Sequence, residues 1–141
     1  MTKEELLEKL GIDVKARIND TNFTWHEALY LKQLKEYAKP EKTHLDNIRR
    51  QAMALQDVRG FLGTPLFITS WLRSPAYNKL ISGAPNSVHL TGLATDFVPG
   101  KMDIEEAKKR IQDSGIYPGR GEHNSTNWIH LDLSGPTWFM V

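Results

Sequence analysis

The hydrophobic and polar positions along the chain predict helices first and strands afterwards. A threonine followed three residues later by a glutamate, with leucines at helical spacing, predicts a short helix over residues 2–10. Residues 12–23 have no clean period, and we interpret them as a loop. The same capping pattern, Thr24 with Glu27, opens a second predicted helix that continues to about Lys39, where the following proline stops it.

The most regular pattern begins near Thr43, where apolar residues recur every three to seven positions as far as Leu62. This spacing predicts a third helix with one apolar face, which ends at Gly63. The β-rich run over residues 66–70 then predicts the first strand.

The second half of the chain alternates short helices with short strands. Ser74-Pro75 begins a helix, with serine as the N-cap and proline at the first helical position. Residues 93–98 are predicted to form a strand, and Asp103 caps a further helix. The glycine-rich and polar segment 115–127 is predicted to be a loop, and residues 128–133 form the last strand.

This order of elements predicts an α+β fold in which an antiparallel sheet packs against N-terminal helices. The length of the chain is typical of a single domain over residues 1–141, long enough to bury a core. The aromatic tail, residues 138–140, is expected to pack back on that domain.

Composition narrows the classes of partner and of metal site. The 18 basic and 17 acidic residues give a net charge of +1, which does not favour nucleic acid or an anionic membrane. No cysteine is present, so a metal site has to use histidine and carboxylate. No apolar run reaches the ~20 residues that span a bilayer.

The N-terminal segment is polar and amphipathic and lacks the apolar core of a signal peptide. We therefore expect the protein to be made in the cytoplasm, so that any work outside the cell would need another exit route. The sequence leaves the oligomeric state open, with a monomer as the expectation.

Two histidines and one aspartate form a candidate metal site. His89 and Asp96 lie seven residues apart with a glycine between them, and His130 lies within the last predicted strand. The two-residue period of that strand puts His130 and Asp132 on one face and the apolar residues on the other. If the strands carrying Asp96 and His130 are neighbours, the three side chains converge as ligands of a catalytic Zn²⁺. Since a histidine in a strand is more often a surface or hydrogen-bonded residue, spacing alone leaves both interpretations open.

Longer motifs around these residues carry a family resemblance. Residues 70–74 read SWLRS, Asn78 follows in a short helix, residues 87–96 read SVHLTGLATD, and residues 128–132 read WIHLD. Over about residues 22–133 the chain resembles the zinc D-alanyl-D-alanine carboxypeptidases. These are murein-cleaving metallopeptidases that include phage endolysins and share a fold with the hedgehog signalling domain.

The resemblance implies a role for each matched position. His89, Asp96 and His130 match the zinc ligands. Arg73 matches an arginine that contacts the substrate near its terminal carboxylate or its scissile carbonyl, where a guanidinium can stabilise developing charge. Ser87 matches a residue that lines the same substrate pocket.

Two departures from the family pattern bear on activity. Trp71 and Leu72 replace a small residue and an aromatic one, which predicts a bulkier pocket floor. Asn127 stands where many relatives carry the general base, and an amide cannot take up the proton of the attacking water.

Other residues near the last strand are candidates for the missing acid–base role. Glu122 and His123 lie in the loop before that strand, and other branches of the family place a histidine there. Asp132 is a third candidate, although it is equally suited to orienting His130 as a hydrogen-bond partner.

The resemblance implies a zinc peptidase that cleaves peptidoglycan stem peptides, as a D,D-carboxypeptidase or an endopeptidase. An endolysin-like role in cell-wall lysis, with phage-mediated release or a place in the virion, would fit the absence of a signal peptide. The alternative is a non-catalytic binding or structural module that keeps the zinc-containing fold, which Asn127 favours.

Overall fold

The computed structural model of the chain describes residues 1–123 and 125–135, so the predicted packing of the tail at residues 138–140 lies outside the described residues. Among the described residues, none of the helices combines the length and apolar character needed to cross a bilayer. The elements in chain order are α1 (Lys3–Leu10), α2 (Trp25–Leu29), β1 (Tyr30–Leu31), β2 (Glu36–Tyr37), α3 (Lys42–Leu62), β3 (Leu66–Ser70), α4 (Pro75–Leu80), a 3-10 helix (Val88–Thr91), β4 (Ala94–Pro99), α5 (Ile104–Ser114), β5 (Arg120–Gly121) and β6 (Ile129–Asp132).

Four antiparallel strands form the main sheet in the order β3-β4-β6-β5. The register between β4 and β6 places Asp96 directly opposite His130 and Phe97 opposite Ile129. On the other side of β4, Ser70 of β3 also pairs with Asp96. The predicted α+β fold, with an antiparallel sheet and N-terminal helices, is therefore confirmed.

The two faces of the sheet differ in character, as the alternation in the sequence predicts. Phe97, Ile129 and Leu131 are fully buried on the face that packs against the helices. Burial of each such side chain contributes about 1.5–3 kcal/mol, which fixes the side of the sheet on which these residues lie. Because strand residues alternate, Asp96 and His130 are then held together on the opposite face.

A buried glutamine joins α3 to the sheet. Gln51 has no exposed surface, and its amide nitrogen donates to Thr95 Oγ1 at 3.2 Å and to the Leu131 carbonyl at 3.1 Å. The Tyr117 hydroxyl donates to its amide oxygen at 2.5 Å. This one side chain therefore links α3 to both central strands and to the segment that follows α5.

The helix predicted from Thr24 to about Lys39 is wrong beyond its first turns. The capping pattern does start a helix, but α2 ends at Leu29, and the chain then forms the small hairpin of β1 and β2. The aromatic rings of Tyr30 and Tyr37 contact each other across the hairpin with their centroids 5.1 Å apart. Cross-strand packing joins residues that no local sequence pattern connects, and here it overrides the helix propensity of the segment.

The segment predicted as a loop over residues 115–127 also contains a strand. Arg120 and Gly121 pair with Asp132 and Leu131 and form the edge strand β5. Gly119 precedes them, and a Cβ there would lie 2.3 Å from the Asp132 carbonyl oxygen, so only glycine allows this close approach. A two-residue strand shows no periodicity, so the pattern could not predict it.

We expect Gln51→Met to lower the free energy of unfolding by about 2–4 kcal/mol, because the Tyr117 hydroxyl and the Leu131 carbonyl lose a buried partner. Urea denaturation of the metal-free protein measures this change. The control is Gln56→Met on the same helix, where the amide hydrogen-bonds to Asn22 near solvent. A loss in Gln51→Met no larger than in this control would contradict the assigned link.

Candidate metal centre

The backbone that carries His89 is a single 3-10 turn with a cap at each end. The Ser87 side chain accepts a hydrogen bond from the His89 backbone nitrogen at 3.2 Å. Gly92 ends the turn at φ 87°, a left-handed conformation that favours glycine. A Cβ at that position would also lie 3.2 Å from the side chain of Ile48. The glycine of the motif therefore serves both the turn and its packing on α3.

The ring of His89 is oriented by a backbone carbonyl. His89 is 2% exposed, and its Nδ1 donates to the Trp71 carbonyl oxygen at 2.7 Å. The opposite nitrogen, Nε2, is buried without an aligned hydrogen-bond partner among the described residues, and Asp96 Oδ2 lies 3.2 Å from it. In the neutral ring this nitrogen carries a lone pair directed toward a carboxylate, an arrangement that a bound cation would satisfy.

Asp96, on β4, is the central carboxylate of the site. Its Oδ1 accepts from His130 Nδ1 at 2.8 Å, and its Oδ2 accepts from Arg73 Nη2 at 3.3 Å. Burial raises the pKa of Asp96, but the hydrogen bond from His130 and the adjacent ring of His89 outweigh this effect and hold the pKa well below its ordinary value. Asp96 is therefore ionised at neutral pH, as a metal ligand must be.

His130, on β6, is held by a second carboxylate on its far side. Its Nε2 lies 2.7 Å from Asp132 Oδ2, while its Nδ1 is directed toward Asp96. Burial lowers the pKa of His130, but hydrogen bonds with Asp132 and Asp96 outweigh burial and raise the pKa to about 9. The pairing of a histidine with a carboxylate on its outer nitrogen is the usual way to orient a metal-binding ring.

Asp132 is itself fixed by several donors. It has no exposed surface and accepts hydrogen bonds from Arg120 Nε at 3.0 Å and from the backbone nitrogen and hydroxyl of Ser134. Although burial raises its pKa, hydrogen bonds with His130 and Ser134 lower it to about 2. A carboxylate with this many donors is well suited to orienting His130 and poorly suited to accepting a proton.

The structure thus brings the three predicted side chains into one buried group. One ligand atom from each of His89, Asp96 and His130 lies within 4.8 Å of the others. Two imidazoles and a carboxylate are the donor set expected for zinc and related divalent ions. The residues present fit a metal ion.

A family model for peptidase M15 matches residues 21–132, which is most of the chain. The chain belongs to the peptidase M15 family. This is the D-Ala-D-Ala carboxypeptidase family, so membership and the buried His-Asp-His group together indicate a metallopeptidase with a peptide substrate. No curated protein matches the chain.

In this M15 peptidase a cavity of about 300 Å³ opens beside the candidate ligands. Its wall includes Arg73 and Ser87, both predicted from the motif to face the substrate, and Glu122, one of the predicted acid–base residues. Two further wall residues, Arg120 and Trp128, had no predicted role. No local pattern points to Arg120, because β5 has only two residues and shows no period.

Arg73 is tied to the site through its whole guanidinium group. Its Nε donates to Ser70 Oγ at 3.0 Å, Nη1 to Asn78 Oδ1 at 3.2 Å, and Nη2 to Asp96. Its backbone nitrogen also donates to the His89 carbonyl at 3.0 Å. One hydrogen-bond network centred on Arg73 therefore joins the motif residues Ser70, Asn78 and Asp96.

The residues that depart from the family pattern lie in different environments, some buried in the core and one exposed to solvent. Trp71 and Leu72 are 2% and 4% exposed, lie in the core, and are not among the described residues that line the cavity, so the expected bulkier pocket floor is wrong. Asn127 is exposed, and His123 is half-buried but absent from the described cavity wall.

A buried lysine supports the loop that leads to β6. Lys108 of α5 is 1% exposed, and its ammonium group donates to the Ser125 carbonyl and to Glu105 Oε1. The Ser125 hydroxyl in turn donates to the Trp128 carbonyl at 3.0 Å. No pattern in the sequence marks Lys108 as buried, so its contact with Ser125 is seen only in the tertiary structure.

We expect Asp132→Asn to weaken metal binding about tenfold to a hundredfold, because the ring of His130 loses its charged partner. Competition with a chromophoric chelator measures the affinity. Asp113→Asn, in an exposed ion pair with Lys109 on α5, is the matched control. Equal affinity in Asp132→Asn and in the control would contradict the orienting role.

Proposed function

We propose that this M15 peptidase is a zinc-dependent enzyme that cleaves peptidoglycan stem peptides, as a D,D-carboxypeptidase or endopeptidase with an endolysin-like role. The observation that carries the proposal is the convergence of His89, Asp96 and His130 beside a cavity, with Arg73 bound to the central ligand. The match of the family model over residues 21–132 supports it independently.

His89, Asp96 and His130 would hold the metal ion, with two neighbours keeping the rings in place. The Trp71 carbonyl fixes His89 with Nε2 toward the site, and Asp132 fixes His130 with Nδ1 toward it. When bound, Zn²⁺ supplies Lewis-acid chemistry, since it polarises a carbonyl oxygen and lowers the pKa of water to ~7.

Arg73 is proposed to bind the substrate oxygen on which negative charge develops. Its three hydrogen bonds fix the plane of the guanidinium, and the group carries more N–H donors than those bonds use. Its link to Asp96 holds it next to the candidate ligands. A donor that is already oriented stabilises developing charge without reorganisation. Ser87, on the same cavity wall, is proposed to contact the substrate.

Glu122 is proposed as the general base and His123 as the acid for the leaving amine. Two observations support Glu122: it lies on the cavity wall, and its charge helps to raise the pKa of His130, which requires proximity. Its carboxylate can accept the proton that the amide of Asn127 cannot.

The amide of Asn127, at the position where many relatives carry the general base, supports a second candidate function. A protein with the M15 fold but without a base could bind cell-wall peptides and leave them intact, as a binding or structural module. Proton transfer by Glu122 or His123 is what separates the enzyme from this module.

Purified cell walls and synthetic stem peptides test the proposed activity. We expect the zinc-loaded protein to release peptide fragments or terminal D-alanine, a chelator to stop the release, and added zinc to restore it. His130→Ala should lose activity and metal together, whereas His26→Ala, an exposed histidine outside the site, should keep both. Metal-loaded protein that binds walls without cleaving them would favour the binding module.

We expect Glu122→Gln to lower turnover about a hundredfold or more while bound zinc stays at the wild-type level, because the base is lost and the ligands are kept. His123→Ala in the same assay measures the contribution of the proposed acid. Peptide turnover by both variants at the wild-type rate would contradict the loop assignment. Strong activity created only by Asn127→Glu, in an otherwise inert protein, would show that the wild type is a binding module.

A further inference from the structure

We propose that Arg120 determines substrate preference by binding a substrate carboxylate beside the cleaved bond. That carboxylate is either the C-terminal group or the side chain of an acidic residue, and both present the same chemistry to a guanidinium. The inference rests on the proposed peptidase function and adds a specificity residue to it.

The topology of the sheet places two cations on opposite sides of the metal ligands. Arg73 lies in the short segment between β3 and α4, and Arg120 lies on β5. The strands β4 and β6, which carry Asp96 and His130, run between the two edge strands β3 and β5. Both arginines line the same cavity. A peptide bound over the ligands therefore lies between two guanidinium groups.

The two arginines are held differently. Arg73 is bound to the candidate ligand Asp96, and its side chain is 12% exposed, which suits contact with the reacting carbonyl. The side chain of Arg120 is 27% exposed and is anchored through Nε to both oxygens of Asp132, at 3.0 and 3.3 Å. Anchoring through Nε orients the planar group, and a planar guanidinium matches a carboxylate in shape and charge.

The charge of the cavity favours an anion when a metal ion is bound. Its described walls carry two arginines and three carboxylates, namely Asp96, Glu122 and Asp132. These side chains alone give one net negative charge, and a divalent ion changes it to one net positive charge. A cleft with low-dielectric walls concentrates the electric field of this positive charge. A substrate that carries a carboxylate is therefore attracted to the cavity more strongly than a neutral one.

Two matched pairs of peptides test the proposal. One pair differs only in a C-terminal carboxylate or amide, and the other only in a glutamate or glutamine next to the cleaved bond. We expect the wild type to prefer the charged member of one pair by about tenfold or more in kcat/KM, as a charge-assisted hydrogen bond provides. The pair that shows the preference identifies the source of the carboxylate.

Arg120→Gln should remove this preference, so that the loss on the charged peptide exceeds the loss on the neutral one by about tenfold or more. Arg120→Lys keeps the cation and should keep part of the preference. Arg110→Gln, in an exposed ion pair on α5, is the control and should behave as wild type. Because Arg120 also donates to Asp132, zinc affinity is measured in each variant by chelator competition, and kcat/KM is compared at saturating zinc, so that the ratio between charged and neutral peptides reports the carboxylate contact.

An equal loss on charged and neutral peptides, together with weaker zinc binding, would show that Arg120 acts only through Asp132 and would overturn the proposal. Equal cleavage of both members of each pair by the wild type would also overturn it and would leave the peptidase function intact. If the zinc-loaded wild type cleaves none of the four peptides, the proposed function fails and this inference fails with it.

Discussion

The ionised carboxylate of Asp96 is the constraint on which the site depends. A buried carboxylate is costly unless donors or cations compensate it, and here His130, Arg73 and His89 approach its two oxygens from three other segments of the chain. Each of these groups is held in turn by a further contact. The local geometry of the segment after β3, the 3-10 turn and β6 is therefore organised around one negative charge.

The sheet supplies the rigid frame that this arrangement needs. The apolar face is fixed by burial, and residues that alternate with it are carried to the opposite face at set spacings. Direct pairing of Asp96 with His130 across two neighbouring strands sets the spacing between their side chains. The fold thus positions two of the three candidate ligands before a metal ion takes part.

The groups around the candidate ligands have two roles, since some orient the imidazole rings and others line the cavity. Asp132 and the Trp71 carbonyl hold the outer nitrogens of the two imidazoles, which directs the inner nitrogens toward the candidate metal position. Glu122 and Arg120 line the cavity, where a substrate would lie, and Arg120 also donates to Asp132. In the proposed mechanism, the general base and the specificity residue belong to β5 and the loop that follows it, whereas Arg73 acts from the opposite side of the ligands.

Local signals in the sequence were enough for much of the structure. Capping boxes, helical periodicity and strand alternation predicted the starts of the helices, α3, and three of the four strands of the main sheet, because these features depend on neighbouring residues. The motif around His89 and Asp96, with His130 in the last strand, pointed to the group that the structure brings together.

Tertiary structure decided the rest, because the contacts concerned join residues that are distant in sequence. Cross-strand packing of Tyr30 with Tyr37 ended α2 early, and pairing with Asp132 made a strand of the segment at Arg120. Trp71 matched a pocket position in the motif, yet burial in the core turned its side chain away from the cavity. Such choices depend on which surfaces meet in the folded chain, and no local pattern encodes them.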